Sequence, residues 1–403
     1  MNKVFITGLG AVTAHGIGSD VLWRAARDGR SGSVPIEFER GIGAVQHAAR
    51  FSDFDAEAYF GSEDISRLDR FSQFAVIAAN EAFAEAGLDA GSLAGPSTAV
   101  IVGTGIGGST TFEEGCHDFF ALGKRRTNPL TVPKVMANAA ACQIGMRIGA
   151  NGPTFAVSSA CSSANQAMGI AAALVRAGVV DRAVTGGSET MITSAVMRAW
   201  ESMRVLTPDA NRPFSRGRNG MLLGEGAGIV VLESEQSMLA RGGRPLAEFA
   251  GYGTTSDAAD LLRPDAASAA RAMRLALEEA GIAAEDVDYV SAHGTGTILN
   301  DVTETEAIRI ALGERANAVP VSSTKPIHGH CLGASGALEL IVTVRAMTEG
   351  FLPPTINWLE ADPKCTLDVV PNVGRPAEIR TALSNSFAFG GINAVIALRR
   401  AAA

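Results

Sequence analysis

Cys161 combines a thiol, small neighbours and a strand-to-helix turn. It lies in PTFAVSSACSSANQAMGIAAALV, where an apolar strand runs into Ser159-Ala160-Cys161 and a small-residue helix begins directly after. A thiol at a helix N-terminus faces unpaired backbone N–H groups and the positive end of the dipole, and both favour thiolate, the nucleophilic form. Ser158, Ser159, Ser162, Ser163 and Ala164 leave room for a substrate. By itself the segment also suits a buried structural cysteine.

Two histidines could serve such a nucleophile. His293 follows an apolar strand in YVSAHGTGT, and His330 sits in SSTKPIHGHCLGASGALEL, a loop entering a long helix. Loops at sheet ends are where α/β proteins collect catalytic groups. Capping or core roles are the alternative for each, and His328 competes with His330. Lys325, before Pro326, reads alone as a solvated lysine. Glu339, on the helix that follows, could neutralise a buried Lys325 or orient His330. Near the C-terminus, SNSFAFGGINAV sets Phe387 and Phe389 beside Gly390 and Gly391, whose backbone freedom permits movement. A mobile aromatic beside an apolar tunnel would be a gate; two core phenylalanines are the other reading.

A rival chemistry rests on Gly103-Thr104-Gly105-Ile106-Gly107-Gly108, which satisfies the GxGxxG pattern of dinucleotide sites. That pattern needs an acidic residue roughly 20 positions further on to hold a ribose. Glu113, Glu114 and Asp118 come too early, so a tight turn approached closely by backbone fits better.

These residues must be held by an α/β scaffold. Apolar strand candidates (Lys3–Thr7, Thr98–Val102, Thr154–Ser158, Arg182–Thr185, Gly228–Leu232, Tyr289–Ala292, Ala394–Leu398) alternate with helix candidates at Asp69–Ala86, Ser162–Ala177, Ala267–Ala280, Thr303–Leu312 and Ala334–Thr348. One pattern recurs. AEAGL at 84–88 precedes a strand and the GTG of Gly103–Gly105, and EEAGI at 278–282 precedes a strand and the GTG of Gly294–Gly296. A looser pairing matches the segment around Cys161 with that around Phe389. Two copies of one unit, residues 1–240 and 241–403, joined near Glu233–Pro245, explain the recurrence.

Composition sets the class. Among 403 residues, 47% are hydrophobic and 19% charged, as in a compact globular chain, and the net charge of -8 argues against non-specific nucleic-acid binding. Five cysteines without a CxxC pair fit a reducing compartment and show no structural zinc spacing. No run nears the roughly 18 apolar residues that span a bilayer. The expected location is cytoplasmic, with no membrane partner.

With Cys161, His293, Lys325, His330 and the FGG turn in this order, the chain resembles the β-ketoacyl-ACP synthases of the thiolase superfamily. It looks most like β-ketoacyl-ACP synthase II and the type II polyketide ketosynthases. The resemblance runs from VFITGLGAVTAHG to SNSFAFGGINAV and includes NRPFSRGRNGMLLGEGAGIVVLE, with Ser215 where the family usually has Asp. It implies a duplicated α-β-α-β-α layered fold, and a homodimer or a heterodimer with a non-catalytic chain-length partner. By the same likeness Cys161 accepts the acyl chain, and His293 and His330 promote decarboxylation of malonyl-ACP. Lys325 orders the site, with Glu339 as its partner. Thr295 and Thr297 bind the phosphopantetheine arm, and Phe389 is the gate whose N–H joins that of Cys161 in an oxyanion hole. Phe387 and Ile106 fall where the substrate lies. Arg67, Lys124, Arg125, Arg126 and Arg204 resemble positions that dock acyl carrier protein. The implied reaction is a decarboxylative condensation needing no metal and no enzyme-bound cofactor, since phosphopantetheine arrives on the carrier. A thiolase would instead use a Cys–His–Cys set, for which Cys331 is the spare thiol. A starter-type ketosynthase would use Cys, His and Asn. The non-catalytic chain-length subunits usually lack the nucleophilic cysteine, which speaks against that role here.

Overall fold

The computed structural model describes residues 2–37 and 45–401. At its centre is a mixed 11-stranded sheet. The first half supplies β1 (Val4–Thr13), β2 (Thr98–Gly103), β3 (Thr154–Val157), β4 (Arg182–Glu189) and β5 (Gly226–Ser234). The second supplies β6 (Ala247–Ser256), β7 (Tyr289–Ser291), β8 (Val321–Ser322), β9 (Thr381–Ala388) and β10 (Ile392–Arg400). A short strand, Gly16–Ile17, pairs with β1.

Across the sheet the order is β8-β7-β9-β10-β6-β1-β5-β4-β2-β3. Each half runs third, second, fourth, fifth, first from its own edge, so the order reads alike from both sides. The halves meet where β1 pairs antiparallel with β6, Phe5 opposite Glu248 and Ile6 opposite Ala247. Helix α1 (Arg70–Ala86) starts at Asp69, whose carboxylate accepts the Phe71 N–H, and stops at Gly87 with φ 67. Helix α4 (Ala266–Ala280) starts at Asp265 and stops at Gly281 with φ 60. The repeated Ala-Gly punctuation is thus a pair of left-handed helix stops.

Alternation along the strands sorts side chains to two faces. Helices α2 (Ser163–Arg176) and α6 (Ser335–Glu349) share one core between the half-sheets with Ala99, Ile101, Val230, Ile396 and Leu398. The opposite faces are covered by α1 over the first half and by α4 with α5 (Ile298–Leu312) over the second. The result is the five-layered α-β-α-β-α arrangement. A further helix, α3 (Ser194–Ser202), carries Trp200.

The structure corrects three sequence expectations. The looser pairing fails, because helix α2 after β3 answers to helix α6 after β8, and the hairpin around Phe389 answers to β4–β5. Helix α5 begins at Ile298 rather than Thr303. Strands β6 and β9 also escaped a sequence reading. Gly251 and Gly253 in β6 look like breakers, yet α4 presses on them. A Cβ there would lie 2.2 Å from Ala276 O and 2.0 Å from Ala272 O, so only glycine admits this contact. Strand β9, TALSNSFA, carries four polar residues but is buried throughout, because it lies inside the sheet between β7 and β10. Among the described residues no helix is long and apolar enough to cross a membrane.

Candidate active site

Chain leaves β3 and turns sharply into α2 through Ala160, at φ 50. A non-glycine residue there costs roughly 1–2 kcal/mol, and the turn thrusts the next side chain, Cys161, out of the strand direction. Two residues of the turn and helix grip the β9–β10 hairpin. Ser162 Oγ lies 3.0 Å from Ser386 O and 2.8 Å from Ile392 O. Asn165 Nδ2 donates to Ser384 O and Ala394 O, at 3.2 Å each. The nucleophile turn is thereby fixed against the hairpin bearing Phe387 and Phe389.

The second half delivers both histidines to the same point. Cys161 Sγ and one ring nitrogen from each of His293 and His330 lie within 4.8 Å of one another. The imidazoles meet edge to face, centroids 5.5 Å apart at 84°. His293 is held through its backbone, since buried Glu304 on α5 accepts the N–H groups of His293 at 2.8 Å and Gly294 at 2.7 Å. Its Nδ1 lies 3.3 Å from Lys325 Nζ. An ammonium only donates, so Nδ1 accepts and the ring hydrogen sits on Nε2. His330 Nδ1 accepts the Leu332 N–H at 3.2 Å, with Ser335 Oγ at 3.0 Å, which again leaves the hydrogen on Nε2. Both rings are therefore set as Nε2–H donors.

Lys325 is not solvated. It is completely buried and ion-pairs with equally buried Glu339, which resolves that carboxylate's role in favour of neutralising the lysine. Burial pushes Glu339 up to about 7 despite the ammonium beside it. Burial, then the Lys325 charge, holds His293 and His330 well below the ordinary histidine value, so both are neutral at pH 7. Cys161 departs from the sequence expectation. Burial pushes its thiol up to about 12, opposed by Lys325, so desolvation outweighs the helix terminus and the resting group is a thiol.

A cavity of about 370 Å³ opens from the surface onto this cluster. Cys161, His293, His330, Thr295, Thr297, Phe387 and Phe389 all line it, as does Arg204. Thr295 and Thr297 hydroxyls are 2.9 Å apart on its wall. His328 is absent from the lining. Its ring is tied to Thr324 Oγ1 at 2.9 Å and Gly329 O at 2.7 Å. Cys331 turns away and lies 3.2 Å from His328 O, so it does not supply the second thiol of a Cys–His–Cys set. Ile106 also lies off the cavity wall, 43% exposed on the glycine-rich loop. Lys124, Arg125, Arg126 and Arg67 are surface residues away from the lining, Lys124 paired with Asp118 and Arg67 with Glu63.

The glycine-rich loop has a structural function. The buried Glu189 carboxylate accepts the N–H groups of Gly105 at 2.5 Å, Ile106 at 3.1 Å and Gly333 at 3.1 Å, joining loops from both halves. Those are the donors a dinucleotide phosphate would need. Glu189, Glu304 and Ser335 were invisible to sequence reasoning as parts of the site. Glu189, after TGGS, and Ser335, in LGASGA, lie in small-residue segments, a signal that Glu304, in VTETEAI, lacks.

Comparison with known proteins agrees with this geometry. Residues 1–237 match the family model described as beta-ketoacyl synthase, N-terminal domain, and residues 246–359 the C-terminal domain. Nodulation protein E of a Rhizobium species is 44% identical over 398 residues, covering 99% of each chain. The 3-oxoacyl-[acyl-carrier-protein] synthase 2 of a Synechocystis strain is 39% identical over 407 residues, covering 99% of this chain and 98% of its own. The solved structure titled the ishigamide ketosynthase/chain length factor superposes at TM-score 0.95 with 37% identity, over 100% of both chains. The palindromic sheet, the Cys–His–His cavity and these whole-length matches lead to one conclusion: the chain belongs to the β-ketoacyl synthase family.

Proposed function

We propose that this protein is a 3-oxoacyl-[acyl-carrier-protein] synthase that extends an acyl chain held on Cys161 by two carbons from malonyl-ACP. The observation that carries this reading is the convergence of a buried thiol with two neutral imidazoles, both set as Nε2–H donors, at the floor of one cavity. Sulfur attacks the incoming acyl thioester, and the thiol proton ends on the departing phosphopantetheine sulfur. Backbone N–H groups of Cys161 and Phe389 would hold the tetrahedral oxyanion, each such donor being worth roughly 2.7–4 kcal/mol. The arm of malonyl-ACP then lies along Thr295 and Thr297. Nε2–H of His293 and of His330 hydrogen-bond the malonyl thioester oxygen and stabilise the enolate formed as carbon dioxide leaves. The carbanion attacks the acyl-Cys161 carbonyl, the C–S bond breaks, the released sulfur takes a proton from water, and the 3-oxoacyl product leaves on the carrier.

The donor set supports a reaction without a resident metal. Cys161, His293 and His330 are close enough to share an ion. A cation needs ring lone pairs aimed at it, however, and the Leu332 N–H and the Lys325 ammonium turn hydrogens inward instead.

The carrier reading places Arg204 at the cavity mouth, with Arg67 and Lys124–Arg126 as outlying candidates. Assembly as a dimer, with a second copy or with a chain-length partner, is favoured by β3, an uncovered sheet edge, and by exposed Phe119, Phe120, Met146 and Phe155. A cytoplasmic location belongs to the same reading.

Intact-mass measurement after incubation with acyl-ACPs tests it. Cys161→Ala should gain no acyl mass, and acylation of that variant elsewhere at wild-type rate would refute the nucleophile. His293→Asn and His330→Asn should slow malonyl-ACP decarboxylation by about 10²–10³-fold, and self-acylation much less. Equal loss of both steps would contradict the division of roles.

A further inference from the structure

The turn that carries Thr295 and Thr297 is held from behind. Its four successive carbonyls, those of residues 295–298, all accept hydrogen bonds from segment 211–220. Asn211 Nδ2 donates to Thr295 O at 2.7 Å, and the Gly220 N–H to Gly296 O at 3.1 Å. Arg218 takes the other two, its Nε on Thr297 O at 3.2 Å and its Nη2 on Ile298 O at 3.3 Å. The remaining nitrogen, Nη1, donates to Ser215 O at 3.1 Å and pairs with Asp362. Arg218 is 8% exposed and does not line the cavity, so it reaches the site only through this turn. The anchoring segment is itself pinned. Buried Phe214 is left-handed at φ 59, and Asp301 accepts its N–H at 2.7 Å and that of Gly296 at 3.2 Å. Such a backbone persists only where its surroundings over-determine it. With their carbonyls drawn to segment 211–220, Thr295 and Thr297 keep their hydroxyls on the cavity wall.

Resting on the condensing-enzyme reading, we infer that Arg218 is a positioning residue for the carrier's phosphopantetheine arm, its guanidinium fork preorganising the Thr295–Thr297 turn. The arm meets this turn before any bond changes, so Arg218 acts on binding of both acyl-ACP and malonyl-ACP. Without the fork the arm must order the turn itself, and that ordering is subtracted from affinity. A lysine could pair with Asp362 but lacks the planar fork that spans two carbonyls.

The test follows single-turnover acylation by intact mass, over a range of acyl-ACP concentrations in excess of enzyme. Half-saturation reports binding of the arm, the plateau rate reports chemistry, and the amplitude reports the folded fraction. Arg218→Met should raise the half-saturating concentration by about 5–30-fold, a larger factor than any fall in the plateau rate. Malonyl-ACP decarboxylation should show the same rise, and Arg218→Lys should not restore either value. Asp362→Asn leaves the guanidinium in place with a weaker partner, and it covers the case of an Arg218 variant that does not fold. It should raise half-saturation in the same direction, by about 2–5-fold. Loss of amplitude alone, a fall confined to the plateau, full rescue by lysine, or wild-type half-saturation in Asp362→Asn would each overturn the proposal and leave condensation standing. Wild-type enzyme that takes up no acyl group at all would overturn both.

Discussion

Lys325 shows how little a single residue's type reveals about its charge environment. Completely buried, it donates to His293 Nδ1 and neutralises Glu339, so it sets an imidazole's tautomer and depresses both histidines at once. Removing one partner of a buried pair usually costs about 3–5 kcal/mol. Glu339, already pushed up to about 7, can escape that cost by taking a proton. Lys325→Met should therefore destabilise the fold more at pH 8 than at pH 6, as read from urea midpoints. It should also slow malonyl decarboxylation, because the His293 ring loses the group that fixes its hydrogen. Equal destabilisation at both pH values would show that Glu339 stays charged without its lysine.

Whole elements depend on carboxylates that never touch substrate. Glu189, at the end of β4, gathers N–H groups from the 103–108 loop and from Gly333 just before α6. Glutamine in its place turns an NH₂ group toward donors that one carboxylate oxygen now accepts. Glu189→Gln should cost about 1–3 kcal/mol in chemical denaturation and loosen the His330 loop. Accelerated amide exchange at Gly105 and Gly333, with little change at distant β10, is the expected signature. The Ser162 and Asn165 contacts act likewise between α2 and the β9–β10 hairpin. Their partners are backbone carbonyls, so only the fold, not the hairpin's side chains, selects them.

For the molecule as a whole, buried neutral histidines oppose stability in acid. His293, His328 and His330 are all held below their ordinary value of 6.5, His328 at about 3. Below pH 6.5 the unfolded chain binds protons on these imidazoles and the folded chain does not. Each of these histidines should thus take stability away as pH drops below about 6.5, by up to about 1.4 kcal/mol per unit. Carboxylates raised by burial oppose this by binding protons in the folded state: Glu339, at about 7, and also Asp69, Glu85, Glu114, Glu189, Asp301 and Glu304. Comparison of variants isolates the histidine share. In denaturation midpoints from pH 7 to 5.5 the wild type should lose more stability per unit than His330→Asn, and parallel profiles would mean that the ring is protonated in place. At the same scale, native mass should report a dimer, and a monomer at micromolar concentration would remove the exposed β3 edge from the account.

Local sequence determined the apolar strand segments and the helical segments, the Ala-Gly stops after α1 and α4, and the strand-to-helix turn at Cys161. Each depends on residues a few positions apart, through backbone angles and side-chain direction. Sequence also singled out His293, Lys325, His330 and Phe389, but not their geometry. Tertiary structure alone decided that Lys325 is dry, that Cys161 rests as a thiol, that Ile106 faces outward, and that polar β9 is an inner strand. Those outcomes turn on which groups lose their water. Desolvation is set by elements brought together from opposite halves of the chain, such as Cys161 and His293 or Glu189 and Gly333. No short window of sequence records that juxtaposition.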